Sequence, residues 1–471
     1  MESDTKKNRA SEEKRPVRVG MISLGCAKNL VDGEVMLGRL QQSGIELTTD
    51  PTQADVVVVN TCGFITDAKK ESIDSILEVA RAKKCGDVRR LVVSGCMAQA
   101  YATELKSEIP EIDAFVGLDE LERITEAVRG EMAAHVPDQR GALKVYDHRN
   151  ERLLSTGSYA YLKVAEGCNN PCSFCHIPAM RGSFRSRTIE DLVTEAKSLA
   201  AAGVRELVLI AQDTTRFGED LGLEHGLRSL IEALLAETSV PWIRFLYAYP
   251  ATLDEGLFDL MASEERFLSY LDIPLQHVSR PVLNGMKRGG SARSYRDLIG
   301  RVRAAVPDIT LRTTMIVGFP GEEAAEYAEL ADFVREMAFD HLGVFAYSWQ
   351  EENPGAELGD PVSEELKQLR RAEILEIQQS IASAKNESLV GRRLPALVSG
   401  TLAEMELLLE ARLGRQAPEI DGRLLINDGT APAGSMVEVE ITDSHPYDLV
   451  GRILKVTQPG VAAGVRLPVM G

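Results

Sequence analysis

Three cysteines in the middle of the chain stand at a spacing that suits an iron–sulfur cluster. Cys168, Cys172 and Cys175 read C-x3-C-x2-C, with Phe174 before the last of them. Thiolates are the soft ligands that such clusters prefer, and a cubane cluster has four irons to ligate. Three cysteines therefore leave one iron open to bind a reactant. A zinc ion is the alternative, because the adjacent His176 could supply the fourth ligand that zinc needs.

A second set of three cysteines is dispersed near the start of the chain. Cys26, Cys62 and Cys96 each follow a short apolar run of the kind that forms strands. Six of the seven cysteines thus fall into two sets of three. The remaining one, Cys85, follows two lysines at the end of a helical pattern and is interpreted as a surface or packing thiol.

The pattern around each dispersed cysteine predicts a strand, the cysteine and then a helix, repeated three times. The strand runs are 17–24, 55–60 and 90–94, and the helical patterns are 30–42, 68–84 and 98–108. Strands that alternate with helices form a parallel sheet, whose binding crevice lies beyond the carboxyl ends of the strands. We therefore expect Cys26, Cys62 and Cys96 to come together there and to hold a cluster.

A second series of alternating strands and helices follows a poorly periodic stretch at 133–158. Six strand runs are predicted, at 161–165, 206–211, 243–248, 270–274, 311–317 and 342–347. The helical patterns between them cover 190–201, 227–237, 255–262 and 322–336. Six β/α units indicate a partial barrel, in which chemistry takes place at the carboxyl ends of the strands. The loop that holds Cys168 directly follows the first strand and is expected on that face.

The last part of the chain changes character after a long charged helical stretch at 364–388. Short apolar runs with Gly and Pro between them predict a small antiparallel β-barrel, at 394–398, 405–409, 424–426, 436–441 and 449–456. Residues 386–460 include eleven acidic and seven basic residues, and Tyr447 is their only aromatic residue. A nucleic-acid reader usually carries basic residues and stacking rings, so a basic protein surface suits this domain better.

Composition narrows the class of protein further. The chain of 471 residues is 44% hydrophobic with a net charge of −18, and no apolar stretch approaches the roughly 20 residues that a bilayer helix needs. Residues 1–16 mix charges without an apolar core, which indicates a disordered tail rather than a signal peptide. We therefore expect a cytoplasmic protein with no membrane partner, whose cysteines bind metal rather than form disulfides. The acidic balance disfavours an extended phosphate-binding surface.

The C-x3-C-x2-C motif with Phe174 resembles that of the radical S-adenosylmethionine (radical SAM) superfamily. Together with the dispersed cysteines and the terminal barrel, it resembles the methylthiotransferases over nearly the whole chain, from about residue 17 to 456. The resemblance implies an α/β fold of three domains. These are an N-terminal parallel-sheet domain at 17–132, a radical SAM core with a partial (β/α)6 barrel at 154–385, and a small β-barrel called TRAM at 386–460.

The resemblance also implies the cofactors, which are S-adenosyl-L-methionine and two 4Fe-4S clusters. The cluster on the C-x3-C-x2-C loop would give the electron that cleaves the cofactor to a radical, which removes hydrogen from an unactivated carbon. The cluster on the dispersed cysteines would present the sulfur that is methylated and transferred. An electron donor such as a flavodoxin or ferredoxin is implied as a partner.

Four segments are similar to the RimO-type branch, whose target is an aspartate of small-subunit ribosomal protein S twelve. They are SLGCAKNLVD at 23–32, IAQDTT at 210–215, LDIPLQH at 271–277 and APEIDG at 417–422. The branch that modifies isopentenylated adenosine in transfer RNA usually has Gly-Cys-Gln-Met-Asn at the first cysteine, which this chain lacks. Transfer RNA is the alternative substrate, and an RNA- or ribosome-binding protein with structural zinc is the alternative class. We expect no base-specific nucleic-acid contact.

Other residues at the ends of the predicted barrel strands are candidates for binding. Gln212 and Asp213 follow the second strand and Gly318 follows the fifth, and we expect them to contact the cofactor. A plain strand-to-helix turn is the alternative for Gly318. Gln276 and His277 follow the fourth strand and are candidates for orienting the substrate carboxylate. A structural hydrogen bond is the alternative role for His277.

Three arginines follow the cluster loop, at Arg181, Arg185 and Arg187. One interpretation is electrostatic support of the target aspartate, which is an anion at neutral pH. A solvated basic face is the alternative.

Overall fold

The computed structural model describes residues 17–132, 137, 145–149, 152–402 and 405–460. The chain divides into two compact units, with the boundary between Ser155 and Thr156. The tail expected at 1–16 and part of the aperiodic stretch at 133–158 lie outside the described residues. None of the described helices is both long and apolar enough to cross a bilayer.

The first unit contains a five-stranded parallel sheet flanked by helices. Its strands are β1 (Arg18–Ser23), β2 (Glu46–Leu47), β3 (Val56–Thr61), β4 (Arg90–Gly95) and β5 (Ala114–Val116). Its helices are α1 (Ala27–Gln42), α2 (Thr66–Cys85), α3 (Cys96–Glu108) and α4 (Ile124–Arg129), with short 3-10 turns at Pro51–Gln53 and Leu121–Arg123. The strand order is β2-β1-β3-β4-β5, and each pair is parallel. The predicted alternation is confirmed, and the three strands that precede the cysteines lie side by side.

The central strands of this sheet are apolar on both faces because helices cover both sides. All six residues of β3 are buried. Val57 and Val59 belong to one core cluster, whereas Val56 and Val58 belong to the other. Successive side chains of a strand point to opposite faces, so an unbroken run of valines fills both cores.

The second unit begins with parallel strands that alternate with helices. The strands are β6 (Tyr159–Lys163), β7 (Ala165–Glu166), β8 (Arg185–Ser186), β9 (Glu206–Ile210), β10 (Trp242–Phe245), β11 (Tyr270–Asp272), β12 (Thr310–Val317) and β13 (His341–Ala346). The helices are α5 (Ile177–Arg181), α6 (Ile189–Ala201), α7 (Gly226–Glu237), α8 (Gly256–Ser263), α9 (Arg280–Gly285), α10 (Ala292–Ala305) and α11 (Ala324–Met337). Short 3-10 turns lie at Thr214–Arg216, Glu219–Leu221, Pro250–Thr252 and Ala356–Leu358.

Six of these strands form a partial barrel from two three-stranded parallel sheets. One sheet has the order β10-β9-β6 and the other β11-β12-β13, while β7 and β8 form a separate antiparallel pair. Between the two sheets, Ile243 of β10 forms a parallel bridge with Phe267, which precedes β11, and the Ala248 N–H donates to the Asp272 carbonyl. The predicted partial barrel is confirmed, and its strands follow chain order from β6 to β13.

A long helix, α12 (Glu364–Glu387), leads into a small closed barrel. The barrel strands are β14 (Arg393–Leu402), β15 (Met405–Leu413), β16 (Leu424–Asp428), β17 (Met436–Ser444) and β18 (Leu449–Gln458), in the order β14-β15-β16-β18-β17. The predicted barrel is confirmed, but the pair β16–β18 is parallel whereas the other four pairs are antiparallel. Strand directions cannot alternate around a closed ring with an odd number of strands, so one parallel pair is unavoidable.

The small barrel is joined to the amino ends of the core strands by polar contacts. The loop at 415–422, here called the docking loop, follows β15. Glu419 of this loop accepts hydrogen bonds from the hydroxyls of Tyr159 (2.6 Å) and Tyr161 (3.1 Å). Asp421 accepts one from the hydroxyl of Tyr270 at 2.7 Å. Tyr159 and Tyr270 are the first residues of β6 and β11, so the docking loop lies at the end of the barrel opposite the cluster loop.

Candidate iron–sulfur and cofactor sites

The dispersed cysteines lie at the same edge of the first sheet. β1, β3 and β4 are neighbours, and Cys62 and Cys96 come directly after β3 and β4. Thr61 pairs with Gly95 in the sheet, so the two cysteines that follow them are adjacent. Cys26 is the N-cap residue of α1, after the short turn that ends β1. Residues far apart in sequence are thus close in space, as the strand pattern predicts.

Gly25 brings the first cysteine loop against Cys62. Its φ is +91°, and a Cβ built at this position would lie 2.7 Å from Cβ and 3.1 Å from Sγ of Cys62. A side chain would therefore clash there, and glycine also adopts this φ without strain. Ser72 of α2 holds Cys62 from the other side, because its Oγ accepts from the Cys62 N–H and donates to the Cys62 carbonyl, each at 3.0 Å.

Two buried asparagines make hydrogen bonds at this edge of the sheet. The Nδ2 of Asn60 donates to the Asn29 carbonyl (2.8 Å) and to Oγ of Ser23 (3.1 Å). The Nδ2 of Asn29 donates to the Leu24 carbonyl at 2.7 Å. These bonds fix the turn before Cys26 to the end of β3. Sequence reasoning missed this role, although Asn29 belongs to the segment 23–32 that carries the resemblance.

The second set of cysteines lies on one loop between β7 and α5. Cys168 and Cys172 are buried, and the Asn170 N–H approaches Sγ of Cys168 at 3.4 Å. Burial raises the pKa of Cys175 to about 12 and also raises the pKa of Cys168. Both thiols therefore keep their protons at neutral pH until a metal displaces them.

Segments that follow β11 and β13 hold this loop in position. The Ser173 N–H donates to the Met286 carbonyl at 3.1 Å, and the Gly355 N–H donates to the Ser173 carbonyl at 2.9 Å. The Nδ2 of Asn353 donates to the Phe174 carbonyl at 3.1 Å. Sequence reasoning did not find these supports, because each contact spans more than a hundred residues and involves main-chain atoms.

Each cysteine set supplies three thiols, which are the soft donors that iron–sulfur clusters prefer. Among the residues that the structure describes, no group of three His, Cys, Asp or Glu side chains is arranged to hold a single metal ion. The ring nitrogen Nδ1 of His176 lies 2.8 Å from the Glu352 carbonyl, where a hydrogen bond accounts for it.

Gln212 and Asp213 lie next to the cluster loop. The Nε2 of Gln212 donates to Glu166 at 2.9 Å, whereas its buried Oε1 has no hydrogen-bond partner in the described ranges. Asp213 accepts from Nδ2 of Asn170 at 2.7 Å and from the hydroxyl of Thr215 at 2.6 Å. Gln212 thus offers a spare acceptor that suits a polar cofactor, and Asp213 fixes the cluster loop.

A close contact within the chain explains why residue 318 is glycine. Its φ is +75°, and a Cβ there would lie 2.3 Å from Cγ of Lys367 on α12. The Gly318 N–H donates to Glu322 at 3.0 Å, which closes a strand-to-helix turn. The contact between Gly318 and the cofactor stays a prediction.

His277 is fully buried and makes local contacts. Its Nδ1 accepts from the Ser279 N–H at 3.0 Å, and its Nε2 lies 3.3 Å from Oε2 of Glu322. This geometry favours the structural role over substrate contact. Gln276 has a φ of +71°, which is uncommon for a residue other than glycine.

A buried charge cluster surrounds Glu166, two residues before Cys168. Lys163 donates to Oε2 of Glu166 at 2.7 Å, and Arg181 donates to both carboxylate oxygens at 3.0 and 3.1 Å. Burial alone would raise the pKa of Glu166, but Arg181 and Lys163 hold it well below its usual range. Arg187 is likewise buried, against Asp191 and Glu195. The interpretation of a solvated basic face is therefore wrong for Arg181 and Arg187, because both guanidiniums are buried in ion pairs.

Three family descriptions match the chain in order. Residues 18–117 match "Uncharacterized protein family UPF0004", residues 162–334 match the radical SAM superfamily, and residues 390–454 match the TRAM domain. The ribosomal protein uS12 methylthiotransferase RimO of Solibacter usitatus is 48% identical over 452 residues, which cover 94% of this chain and 96% of that protein. The chain belongs to the RimO methylthiotransferase family. The RimO protein of Syntrophotalea carbinolica is 47% identical over 447 residues, which cover 94% and 98% of the two chains.

As a RimO-family methylthiotransferase, the chain is an enzyme that transfers a sulfur-containing group and uses S-adenosylmethionine and 4Fe-4S clusters. The fold is also similar to that of the radical S-adenosylmethionine methyltransferase TsrM from Kitasatospora setae. The TM-score is 0.52 at 16% identity, over 73% of this chain and 77% of TsrM. At this distance the likeness extends to the fold alone.

Proposed function

We propose that this RimO-family enzyme replaces a hydrogen on the β-carbon of one aspartate in ribosomal protein uS12 with a methylthio group. The names of the relatives that match over 94% of the chain supply the target protein. The segments at 23–32, 210–215, 271–277 and 417–422 support the same branch.

One observation carries the proposal. Each unit gathers three cysteines beyond the carboxyl ends of its parallel strands. Three thiolates leave one iron of a cubane cluster open to bind a reactant. Two such sites in one chain suit an enzyme that uses S-adenosylmethionine twice, once to methylate sulfur and once to generate a radical. A protein with structural metal alone would need no open position.

In the core, Cys168, Cys172 and Cys175 hold one cluster, which with S-adenosylmethionine supplies a carbon-centred radical when both are bound. Gln212 would offer its spare Oε1 to a polar group of the bound cofactor. Asp213 keeps the loop in position through Asn170. Gly318 remains a proposed contact of the cofactor.

In the first unit, Cys26, Cys62 and Cys96 would hold the second cluster, which would supply the sulfur of the methylthio group. Ser72 and Gly25 keep Cys62 in place for this role. A reductant of the flavodoxin or ferredoxin class supplies electrons in the cytoplasm, where reduced thiols persist.

A competition assay tests the proposal. Full-length enzyme reconstituted anaerobically with iron and sulfide is mixed with reductant, S-adenosylmethionine, ribosomal protein uS12 and an isopentenylated transfer RNA stem-loop. We expect mass spectrometry to find one methylthio group on one aspartate of the protein and none on the RNA. Modification of the RNA alone would keep the chemistry and reject the substrate, and a colourless zinc protein would reject the chemistry.

A further inference from the structure

Arg288 has no role so far, yet its guanidinium lies against the cluster loop. Its Nη1 is 3.6 Å from Sγ of Cys172, and the side chain is buried. Its Nη2 donates to the Pro274 carbonyl at 3.0 Å. The guanidinium carbon stacks 4.4 Å from the ring centre of Tyr249. One side chain thus joins the cluster loop to the segments that follow β10 and β11.

The turn that ends α9 fixes the direction of Arg288. The Arg288 N–H donates to the Leu283 carbonyl at 2.8 Å, and the Lys287 N–H donates to the Asn284 carbonyl at 3.0 Å. Lys287 has a φ of +53°. This is the Schellman arrangement, in which a left-handed residue ends a helix and turns the next residue sharply away.

The same turn is hydrogen-bonded to the residue after Cys172. The Ser173 N–H donates to the Met286 carbonyl at 3.1 Å, and the Ser173 hydroxyl donates to the Gly285 carbonyl at 2.8 Å. The last carbonyls of α9 are therefore satisfied by the cluster loop itself. Because the loop and the turn are bonded to each other, the distance between Arg288 and Cys172 is fixed.

The charge of Arg288 lacks the partner that a buried cation normally has. Within the described ranges no carboxylate lies in ion-pair distance of its guanidinium, and its buried Nε has no hydrogen-bond partner. A buried cation without an anion is strongly destabilising. A cluster with thiolate ligands is an anion at this place, and it would supply the missing charge.

We propose that Arg288 is a positioning residue that raises the reduction potential of the cluster on Cys168, Cys172 and Cys175. This inference rests on the proposed function, because it needs a cluster on that loop. Reduction adds one electron and makes the cluster more negative. A cation that donates to a ligand sulfur stabilises the reduced form more than the oxidised form, and hydrogen bonds to the sulfurs are among the controls of cluster potential.

The test is a redox titration of full-length protein. The three cysteines of the first unit are replaced by alanine, so that one cluster remains, and Arg288→Gln, Arg288→Lys and Arg280→Gln are compared in this background. Arg280 is the exposed first residue of α9 and serves as the matched control. The electron paramagnetic resonance signal of the reduced cluster is measured as dithionite donates one electron per cluster.

At a fixed potential, we expect Arg288→Gln to lower the ratio of reduced to oxidised cluster about tenfold. This corresponds to about 59 mV for a one-electron couple, and it is the size expected when a hydrogen bond to a charged group is lost. Arg288→Lys keeps the charge without the two-pronged contact, so its ratio falls less, and Arg280→Gln keeps the parent ratio.

Native potentials in both Arg288 variants would overturn the inference. If Arg288→Gln binds no iron, Arg288→Lys decides: a lowered ratio supports the role and an unchanged ratio rejects it. Failure of the cluster assignment on which the proposed function rests is a separate result, because the parent protein would then show no iron–sulfur signal at all.

Discussion

At the scale of single residues, hydrogen bonds from neighbouring residues fix the positions of the cysteines. Ser72 brackets the N–H and carbonyl of Cys62, and Ser173 anchors the loop that holds Cys172. The thiol of Cys175 has a pKa of about 12 because of burial, so cluster assembly has to release its proton. Cys62 and the cluster loop are thus held in place by hydrogen bonds of the protein itself.

Single cysteine substitutions separate the two proposed roles. We expect Cys172→Ala to abolish cleavage of S-adenosylmethionine, because the loop cluster loses a ligand. Cys62→Ala keeps cleavage but stops methylthiolation. Liquid chromatography of deoxyadenosine and mass spectrometry of the ribosomal protein measure the two steps. Cys85→Ala is the control, because Cys85 is exposed at the end of α2 and belongs to neither set. Methylthiolated product from Cys62→Ala would refute the role of the first unit.

Gly25→Ala tests whether close packing at Cys62 is needed for the first cluster. The new Cβ would lie 2.7 Å from Cβ of Cys62, so the cysteine loop has to move. We expect the iron content to fall from about eight to about four atoms per chain, since each cubane cluster holds four irons.

Gly44→Ala is the matched control for Gly25→Ala. Gly44 also has a positive φ, +73°, but a Cβ there meets nothing within 4 Å. Its iron content should stay at the native value. Equal loss of iron in both variants would mean that backbone strain, and not contact with Cys62, explains the effect.

At the scale of elements, strands were predictable and their packing partners were not. The unbroken run Val56–Val59 predicts a strand buried on both faces, and the repeat of strand, cysteine and helix predicts a common edge for the first cysteines. The contact of Arg288 with Cys172 depends on how α9 ends, and no local pattern contains that information. The sequence leaves two roles open for Gly318 and for His277 for the same reason. Gly318 contacts Lys367 and His277 contacts Glu322, and both partners come from distant elements.

Helix α10 is absent from the predicted helical patterns, although its sequence is amphipathic. Tyr295, Leu298, Ile299 and Val302 form one buried stripe, and Ser291 caps the first turn. Four arginines in this helix made the segment read as charged rather than amphipathic. The long charged stretch at 364–388 was predicted correctly and became α12.

Arg412 tests how the small barrel is held to the core. Its Nη2 donates to Glu206 at 2.6 Å, and Glu206 also accepts from Arg244 at β10. Burial would raise the pKa of Glu206, but Arg244 and Arg412 outweigh it and lower the pKa. We expect Arg412→Met to lower the free energy of unfolding by about 3 kcal/mol, since breaking a buried ion pair leaves a charge poorly compensated.

Urea unfolding followed by circular dichroism measures the effect of Arg412→Met. Arg452→Gln is the control, because Arg452 pairs with Glu440 on the exposed surface of the same barrel. Exposed ion pairs contribute little to stability, so this variant should unfold like the parent. If Arg412→Met lowers the free energy of unfolding as little as Arg452→Gln does, the barrel is held mainly by apolar packing.

At the scale of the molecule, the C-terminal barrel is part of the core rather than a separate module. The segment APEIDG at 417–422 resembles a branch marker, and in the structure it forms most of the docking loop. Two of its carboxylates bind tyrosines at the amino ends of β6 and β11. Sequence alone gives the barrel and its acidic character, but not the end of the core on which it sits.

Core and small barrel are therefore expected to unfold as one cooperative unit. Hydrogen exchange measured over a series of urea concentrations should show the same unfolding free energy for the amides of β9 and β15, because Glu206 and Arg412 on these strands share a buried bond. Exchange of β15 at a much lower free energy than β9 would contradict this.

The docking loop also has a kinetic consequence. Glu419 and Asp421 of the docking loop bind tyrosines at the amino end of the core, so we expect the substrate to enter from the opposite end, where the cluster loop lies. The modified product therefore has to leave through the same opening before another substrate molecule can bind. Modified ribosomal protein should therefore slow turnover by competing with the unmodified form for the same opening.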